Sequence, residues 1–284
     1  AITDFSILLG GVFSSDDYID NDSSLEGITG GYWTKSETGY GMRKDFVYVI
    51  GDSGNGGTNN MKIRYCGGRP ALPFSEGSSI PINEGSKKRA EDGVLEVEYG
   101  YYPQKAAPRD MQDRLESAYK SGTISRTKNS YTTDSIDADS PYYIFQPQTH
   151  QEYEYNGKNY VRIKANLHGA SLFDVTVKLS NGEWYRNGDY IWVEVAPVKW
   201  LVDEKAKMMI AEKIIFAGVQ FDSRALSYST EDFDKTDIKT FMDKYLSKDL
   251  EQSRGTITLE KQTEETPEIQ PRKSRLQKLN PDKT

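Results

Sequence analysis

Hydrophobic residues concentrate in two blocks of the chain, residues 1–74 and 94–250, which a polar stretch at residues 75–93 separates. That stretch is rich in glycine, serine and charged residues, which offer little apolar surface to bury. After Leu250 the sequence contains no aromatic residue and is rich in charge, a composition typical of solvated segments. We therefore predict one domain over residues 1–250, with residues 75–93 as a loop-like bridge and residues 251–284 as a flexible polar tail.

Short apolar runs predict strands in the first block. The run at residues 5–9, stopped by Gly10 and Gly11, predicts a short buried strand. Residues 46–50 and 61–65 predict the two arms of a hairpin. Between them, residues 51–60 are rich in Gly and Asn and predict a long irregular connection, because these residues tolerate positive φ.

The second block carries two helix patterns. Apolar residues recur at helical spacing after Asp110, and Gly122 is placed to end that helix. A second helix is predicted to begin at Asp234 or Thr236 and to extend through Leu246. Each pattern has a single apolar face, so we predict two surface helices.

The rest of the second block predicts strands, at residues 95–99, 153–155, 160–163, 173–179, 190–202 and 208–216. The pair Asn156-Gly157 is typical of a tight hairpin turn, and Pro197 predicts an edge, bend or bulge in the 190–202 strand. We place Trp192 and Trp200, which share that apolar run, in the core. Together the elements predict an α+β fold with antiparallel sheet and long loops.

Composition excludes several classes of function. The chain has 43 acidic against 36 basic residues, a net charge of −7 that opposes a nucleic-acid partner. A single cysteine, Cys66, excludes an intramolecular disulfide and a cysteine-based zinc site. No run of about 18 apolar residues occurs, so we expect no membrane insertion. With no signal-peptide pattern at residues 1–4, a cytoplasmic or virion-associated location is expected.

Candidate catalytic residues are few. We expect Cys66 to be a small buried residue rather than a nucleophile, since no histidine neighbours it. The two histidines, His150 and His168, lie in polar stretches and are predicted to be on the surface. The glycines at residues 51–57 lack the Gly-Lys-Ser/Thr ending of a phosphate-binding loop. We therefore expect neither a catalytic site nor a cofactor.

Two acidic stretches could hold a hard cation. Residues 16–22 contain four carboxylates, a composition that Ca²⁺ could use, but their spacing departs from the EF-hand pattern. Asp134, Asp137 and Asp139 form a second acidic stretch with the same two interpretations. A solvated acidic loop is the favoured interpretation, and calcium binding by Asp16 to Asp22 stays open.

Several sequence segments resemble those of one family, but they occur in an unusual order along the chain. Gly31-Tyr32-Trp33-Thr34-Lys35-Ser36 and Gly67-Gly68-Arg69-Pro70-Ala71-Leu72 look like the closing half of an uncharacterised bacterial and phage domain family. That ending is similar to the C-type-lectin fold of formylglycine-generating-enzyme-like proteins and of the variable proteins of diversity-generating retroelements. Residues 97–104, 197–202, 208–215 and 237–246 resemble the family's opening half.

The swapped order implies one lectin-like domain with circularly permuted halves, which compact domains accept when their ends lie close together. A half duplicated or exchanged between protomers is the alternative. We expect Arg69 to anchor carbonyls or a carboxylate within the fold, a structural rather than a catalytic role. Oxidase activity of the formylglycine-generating type depends on paired cysteines, and Cys66 alone puts it out of reach.

The resemblance also implies a binding surface on the hairpin before the Gly-x-Arg-Pro phrase. Aromatic side chains and adaptable polar groups such as these suit recognition. The candidate residues, called the hairpin surface below, are Tyr40, Arg43, Lys44, Asp45, Tyr48, Asn55, Asn59, Asn60, Lys62, Arg64 and Tyr65. The alternative is an ordinary solvent-facing hairpin.

The expected function is therefore non-catalytic recognition of a protein or glycan ligand, in a phage or bacterial setting that the resemblance suggests. One alternative is a structural or adsorption component of a phage virion. A second is an enzyme related to the formylglycine-generating type that has lost its cysteine site. The sequence indicates neither the ligand nor the oligomeric state.

Overall fold

Antiparallel sheets joined by a few short helices make up the described part of the chain. The computed structural model describes residues 1–11, 32–37, 46–50, 56–60, 66–74, 82–91, 93–134, 146–167, 176–223 and 230–252. Over these residues the predicted α+β class with antiparallel pairing is confirmed. No helix among them is long and apolar enough to cross a membrane.

Thirteen strands and four short or medium helices follow one another in the described parts of the chain. The strands are β1 (Tyr32–Glu37), β2 (Phe46–Ile50), β3 (Gly56–Asn60), β4 (Ala71–Pro73), β5 (Lys88–Arg89), β6 (Leu95–Ala106), β7 (Ser125–Asp134), β8 (Pro147–Tyr155), β9 (Lys158–Lys164), β10 (Thr176–Lys178), β11 (Trp184–Arg186), β12 (Tyr190–Asp203) and β13 (Met208–Ala211). The helices are α1 (Asp4–Leu8), α2 (Arg109–Ser121), α3 (Asp237–Phe241) and α4 (Ser247–Leu250). A π-helical turn, Met242–Leu246, joins α3 to α4, and 3₁₀ turns occupy Glu84–Ser86 and Thr230–Lys235.

The largest sheet is organised around β12. Its strand order is β4-β13-β12-β9-β8-β7, and β6 pairs with the other edge of β12. The register of β12 on β6 shifts between Pro197 and Lys199, as expected where proline removes a ladder N–H. The irregularity predicted from Pro197 is therefore confirmed.

The row β6-β12-β9-β8-β7 curls on itself. Tyr102 on β6 and Tyr131 on β7 belong to the two ends of that row, yet their ring centroids lie 5.5 Å apart. Phe5 of α1 packs inside the curl, 5.5 Å from the Tyr102 ring and 6.4 Å from the ring of His150 on β8. The main core includes Phe5, Tyr102 and Tyr131 of this curl, and it draws buried residues from Ile2 through Leu250, hence from both hydrophobic blocks.

Helix α1 replaces the strand predicted for residues 5–9. Thr3 caps the helix, since its hydroxyl accepts a hydrogen bond from the Ser6 N–H at 3.2 Å. All five residues of α1 are buried, the polar Asp4 and Ser6 included, so the helix has no solvent-facing side and its pattern shows no helical period. The prediction was wrong because a short buried helix and a short buried strand have the same hydrophobic pattern.

Two further predictions need correction. Residues 56–60 were expected to be part of a loop, but they form β3, which pairs with β2 through five residue pairs including Val47 with Asn59. The second arm expected at residues 61–65 lies outside the described residues. In the bridge, Lys88 and Arg89 pair with the start of β6, so the bridge contains a strand as well as loop.

His150 is buried, contrary to the surface position predicted for it. Its Nε2 lies 2.7 Å from the Thr133 hydroxyl on β7, and Phe5 packs against its ring. Burial lowers the pKa of His150 to about 4, so the imidazole is neutral at physiological pH. The polar residues next to His150 in sequence did not indicate its burial, because alternate residues of β8 face opposite sides of the sheet.

Other sequence-based predictions are confirmed. Helix α2 ends at Gly122, whose φ of 71° is the left-handed C-cap conformation. The hairpin between β8 and β9 turns at Asn156 and Gly157, with φ of 51° and 77°. Trp192, Trp200 and Cys66 are buried, and the Arg69 Nε donates to the Ala211 carbonyl at 2.7 Å.

The end of the last helix covers the free edge of β7. The Asp249 carboxylate accepts a hydrogen bond from the Thr132 N–H at 2.7 Å, and the Gln252 side-chain oxygen accepts one from the Ser130 N–H at 2.8 Å. These bonds occupy ladder groups that an end strand otherwise leaves unpaired. Burial raises the pKa of Asp249 to about 7, although the Thr132 N–H and the Lys248 ammonium partly oppose the rise.

We predict that Asp249→Asn changes how stability depends on pH. The folded-state pKa of about 7 lies above the ordinary value of 3.8, so the contribution of the protonated carboxyl is lost as pH rises through about 7. Asparagine keeps the acceptor without the charge. The variant should therefore exceed the wild type in stability at pH 8.5, by on the order of 1 kcal/mol, but not at pH 5.5.

Thermal unfolding at the two pH values measures the effect. Asp243→Asn, at an exposed carboxylate of the π-helical turn that joins α3 to α4, is the matched control and should follow the wild type. An equal change in Tm at both pH values for Asp249→Asn would contradict the proposed role of its charge.

Candidate functional site

A groove of about 330 Å³ lies between α2 and the first residues of β11 and β12. One wall is formed by Arg109, Gln112, Asp113 and Glu116 of α2. The opposite wall and floor are formed by Glu183, Trp184, Tyr185, Asp189, Tyr190 and Trp192. The lining thus combines aromatic rings, carboxylates, an amide and a guanidinium.

The spacing of residues on α2 creates the polar wall. Positions 112 and 113 each lie three or four residues from both 109 and 116, so the four positions share one side of the helix. Leu115 and Ala118 lie on the buried face. Leu115 belongs to a small core cluster with Ala107, Tyr153, Tyr160 and Trp192, which fixes the helix on the sheet.

The aromatic wall comes from two adjacent turns. The two-stranded β10–β11 hairpin places Trp184 opposite Lys178, and Trp184 is 39% exposed. Tyr190 begins β12 after a turn at Gly188, and the residue is 54% exposed. Each turn contains a glycine with positive φ, Gly182 in one and Gly188 in the other. Residues with a side chain adopt positive φ only at a cost in free energy. These two rings are among the few large hydrophobic side chains exposed in the described chain.

Buried Asp4 ties the bases of both walls to α1. Its Oδ2 accepts a hydrogen bond from the Ala106 N–H at 2.7 Å, just before α2. Its Oδ1 accepts one from the Ser180 N–H at 3.1 Å, in the turn before β11. Burial raises the pKa of Asp4 despite these donors. The carboxyl therefore fixes the spacing between the helix and the hairpin.

The side chain of Gln112 joins α2 to the floor of the groove through hydrogen bonds to the backbone of β12. Its Oε1 accepts a hydrogen bond from the Trp192 N–H at 2.8 Å, and its Nε2 donates to the Trp192 carbonyl at 2.7 Å. The Ala107 N–H donates to the same carbonyl at 2.9 Å. The amide side chain thus occupies a ladder position beside β12, and this leaves α2 little freedom to move away.

Glu116 holds the deepest charge of the groove. Arg162 on β9 donates to both of its oxygens, each at 2.9 Å, and the Trp192 indole N–H donates to Oε2 at 3.1 Å. Arg162, followed by the Trp192 indole N–H, outweighs partial burial and lowers the pKa of Glu116 to about 2. Glu116 therefore stays a carboxylate at every physiological pH.

The remaining charges line the open part of the groove. Arg109 forms an ion pair of 2.6 Å with Oε2 of Glu183 across the two walls, and the hydrogen bond to Glu183 raises the pKa of Arg109. Asp189 accepts a hydrogen bond from the Arg186 N–H at 2.7 Å through Oδ2. Asp113 is exposed beside Arg109. Four carboxylates and one guanidinium therefore line the groove, which is electronegative.

Most of the hairpin surface lies outside the described residues. This holds for Tyr40, Arg43, Lys44, Asp45, Asn55, Lys62, Arg64 and Tyr65. For Tyr48, Asn59 and Asn60 the backbone is described: Tyr48 pairs with Thr58, and the two asparagines pair with Val47 and Phe46. The hairpin surface therefore stays a prediction.

The three-stranded sheet that carries these last residues is anchored to the core through β1. The Trp33 indole is buried, donates to the Val219 carbonyl at 3.4 Å and packs 5.6 Å from the Phe221 ring. Val49, the register partner of Trp33 on β2, is buried as well. One side of this sheet is thus fixed to the domain.

The other chemistry considered from the sequence is described only in part. Residues 16–22, Asp137, Asp139 and His168 lie outside the described residues. Asp134 is described and buried, and it accepts a hydrogen bond from the Gln146 N–H at 2.8 Å. Within the described ranges, no three His, Cys, Asp or Glu side chains come close enough to hold a metal ion.

No pattern in the sequence alone indicates the groove. Its two walls are about 70 residues apart in the chain, and only folding brings them together. Two signals were present: the polar stripe of α2 at helical spacing, and Trp184, an aromatic residue in a polar turn sequence. Neither signal indicates which partner element it faces.

Comparisons with protein-family models, with curated proteins and with solved structures found no match to this chain.

We predict that Glu116→Gln weakens the fold in a pH-dependent way. The folded-state pKa of about 2 lies below the ordinary 4.5, so the stabilisation is fully present above pH 4.5 and is lost as pH falls through about 2. Glutamine is uncharged and has one oxygen, so it cannot accept both Arg162 hydrogen bonds as the carboxylate does. At pH 7 the variant should lose about 1 kcal/mol of unfolding free energy, a value discounted for solvent screening.

Urea unfolding at pH 7 and pH 2.5 measures this difference, which should shrink at the lower pH. Glu204→Gln, which breaks an exposed ion pair with Arg89, is the control and should change little at either pH. A loss of the same size at both pH values for Glu116→Gln would mean that shape, and not charge, is responsible.

Proposed function

We propose that this chain is a non-catalytic recognition protein whose groove between α2 and β12 binds a ligand. The observation that carries the proposal is the pair of exposed rings, Trp184 and Tyr190, at the rim of a groove with charged walls. Aromatic side chains exposed beside polar groups supply binding energy and are enriched at recognition sites. Their exposure costs free energy in the unbound protein, which a ligand would recover.

The rigidity of the groove supports recognition. Gln112, Glu116 and Trp192 are joined by hydrogen bonds of 2.7 to 3.1 Å, and Asp4 fixes the bases of both walls. A site held in its binding geometry before the ligand arrives loses less conformational entropy on binding. The contacts that stabilise the fold here therefore also prepare the site.

Titration of the groove residues supports binding rather than proton transfer. The pKa of Glu116 is lowered to about 2 by Arg162, and the pKa of Arg109 is raised by Glu183. Burial raises the pKa of Tyr185. All three shifts move away from neutrality, whereas a general acid or base works best with a pKa near the working pH. These groups serve as fixed charges and hydrogen-bonding partners.

We also propose that the domain is a C-type-lectin-like fold with permuted halves. Support comes from the phrase at residues 67–72, which lies beside residues 208–216 in the same body. Gly68 donates its N–H to the Phe216 carbonyl at 2.8 Å, and β4 pairs with β13. An experimental structure that superposes on a C-type-lectin domain after reordering at the bridge would support this proposal, and failure to superpose over both halves would overturn it.

Binding to printed arrays of defined glycans and defined 15-residue peptides tests the recognition function. We expect the wild type to bind a restricted set and Trp184→Ala to lose at least tenfold in affinity for it, with Tm within a few degrees. Met208→Ala is the control, since Met208 is an exposed apolar residue outside the groove. The recognition function fails if no array member binds the wild type, and the groove fails as its site if Trp184→Ala binds as the wild type does.

The hairpin surface is a second proposed contact for the same function. Replacing Arg43, Lys62, Arg64 and Tyr65 together by Ala should leave thermal unfolding unchanged and reduce array binding. Undiminished binding by this fourfold variant would remove the hairpin surface from the account and leave the groove as the sole proposed site.

A further inference from the structure

The groove offers acceptors in excess of donors. Within the described residues, Glu183 accepts a hydrogen bond from Arg109 through Oε2, and Asp189 accepts one from the Arg186 N–H through Oδ2. The second oxygen of each carboxylate can therefore accept a hydrogen bond from a ligand. Asp113 adds a third carboxylate, which is exposed. On the donor side, one nitrogen of the Arg109 guanidinium already bonds to Glu183. A ligand that only donates hydrogen bonds fits this inventory better than one that needs donors from the protein.

The same region already binds one guanidinium of the chain itself. Arg162 lies with its guanidinium carbon 3.8 Å from the Tyr190 ring centroid and 4.9 Å from that of Tyr119. Its nitrogens pair with both oxygens of Glu116. Carboxylate and aromatic face together therefore hold a guanidinium here, and Trp184 with Asp113, Glu183 and Asp189 presents the same combination to solvent.

From this arrangement we propose that the groove binds an arginine or lysine side chain presented by a basic segment of a protein partner, an inference that rests on the proposed recognition function. The cation lies over the Trp184 ring and donates to Asp113, Glu183 and Asp189. A volume of about 330 Å³ suits one long side chain and its backbone better than an extended chain of sugars.

The charge of the whole protein favours the same ligand. A net charge of −7 attracts a cationic segment from a distance and repels phosphate-bearing partners. A neutral glycan would gain nothing from this charge. Binding should consequently be sensitive to salt, because exposed charges are screened within about 10 Å at 0.1 M ionic strength.

Titration of the full chain followed by ¹⁵N NMR tests the proposal. The signal is the Trp184 indole N–H, assigned with Trp184→Phe, and the probes are Ac-Gly-Arg-Gly-NH₂, Ac-Gly-Lys-Gly-NH₂, the neutral Ac-Gly-Gln-Gly-NH₂ and methyl β-glucoside. We expect saturable shifts with the two cationic peptides and none with the neutral probes. The Kd for the cationic peptides should rise at least threefold between 50 and 500 mM NaCl.

Charge-removing variants identify the carboxylates involved. Asp113→Asn with Asp189→Asn should raise the Kd of the arginine peptide at least fivefold without lowering Tm, since asparagine at position 189 still accepts the Arg186 N–H. Asp110→Asn is the matched control, because Asp110 is an exposed carboxylate of α2 that does not line the groove. It should leave the Kd unchanged.

The outcomes separate the two proposals. Saturable, salt-independent binding of the glucoside at Trp184 would overturn the cationic ligand and leave the recognition function in place. Cationic peptides that leave the Trp184 signal unmoved would overturn the groove as their site. If no probe and no array member binds, both the cationic ligand and the recognition function are overturned.

Discussion

The pairing of β12 with its neighbours on both edges is the constraint on which the rest of the structure depends. Over its 14 residues this strand pairs with β9 at its start and with β13 at its end, while β6 lies along the other edge. Trp192 and Trp200 are both buried along it, and the Trp200 indole donates to the Tyr99 carbonyl at 3.0 Å. The strand that organises the core thus also supplies the floor of the groove.

This arrangement explains how stability and recognition share the same contacts. Trp192 places an indole N–H under α2, where Glu116 accepts it, and Glu116 in turn pairs with Arg162. An isolated carboxylate in this partly buried position would be costly, but the paired guanidinium and the indole satisfy it. The network holds α2 at a fixed height above the sheet. The groove is the space left between α2 in this position and the β10–β11 hairpin.

Much of the fold could be predicted where a local signal exists. The length of β12, its irregularity at Pro197 and the end of α2 at Gly122 follow from residues with strong backbone preferences. Helix α1 could not be predicted, because a five-residue run buried on all sides shows no period and its form is set by the Thr3 cap and by packing. The burial of His150 could not be predicted for a related reason: it depends on Phe5 and Thr133, which lie on other elements.

The candidate site illustrates the same limit. The hairpin surface was inferred from a resemblance, and eight of its eleven residues lie outside the described part of the chain. The groove depends on contacts between residues near 110 and residues near 190, which no local pattern records. Polar stripes on helices are common, so the stripe of α2 became informative only once Trp184 and Tyr190 were seen to face it.

A crystal structure of the protein with Ac-Gly-Arg-Gly-NH₂ tests the central claim most directly, namely that the start of β12 and the facing side of α2 form a recognition groove ready for its ligand. The account predicts the guanidinium over the Trp184 ring, within hydrogen-bond distance of the groove carboxylates, with α2 and β12 unmoved. Peptide bound only elsewhere on the protein, or a groove that must open or close to admit it, would contradict the account.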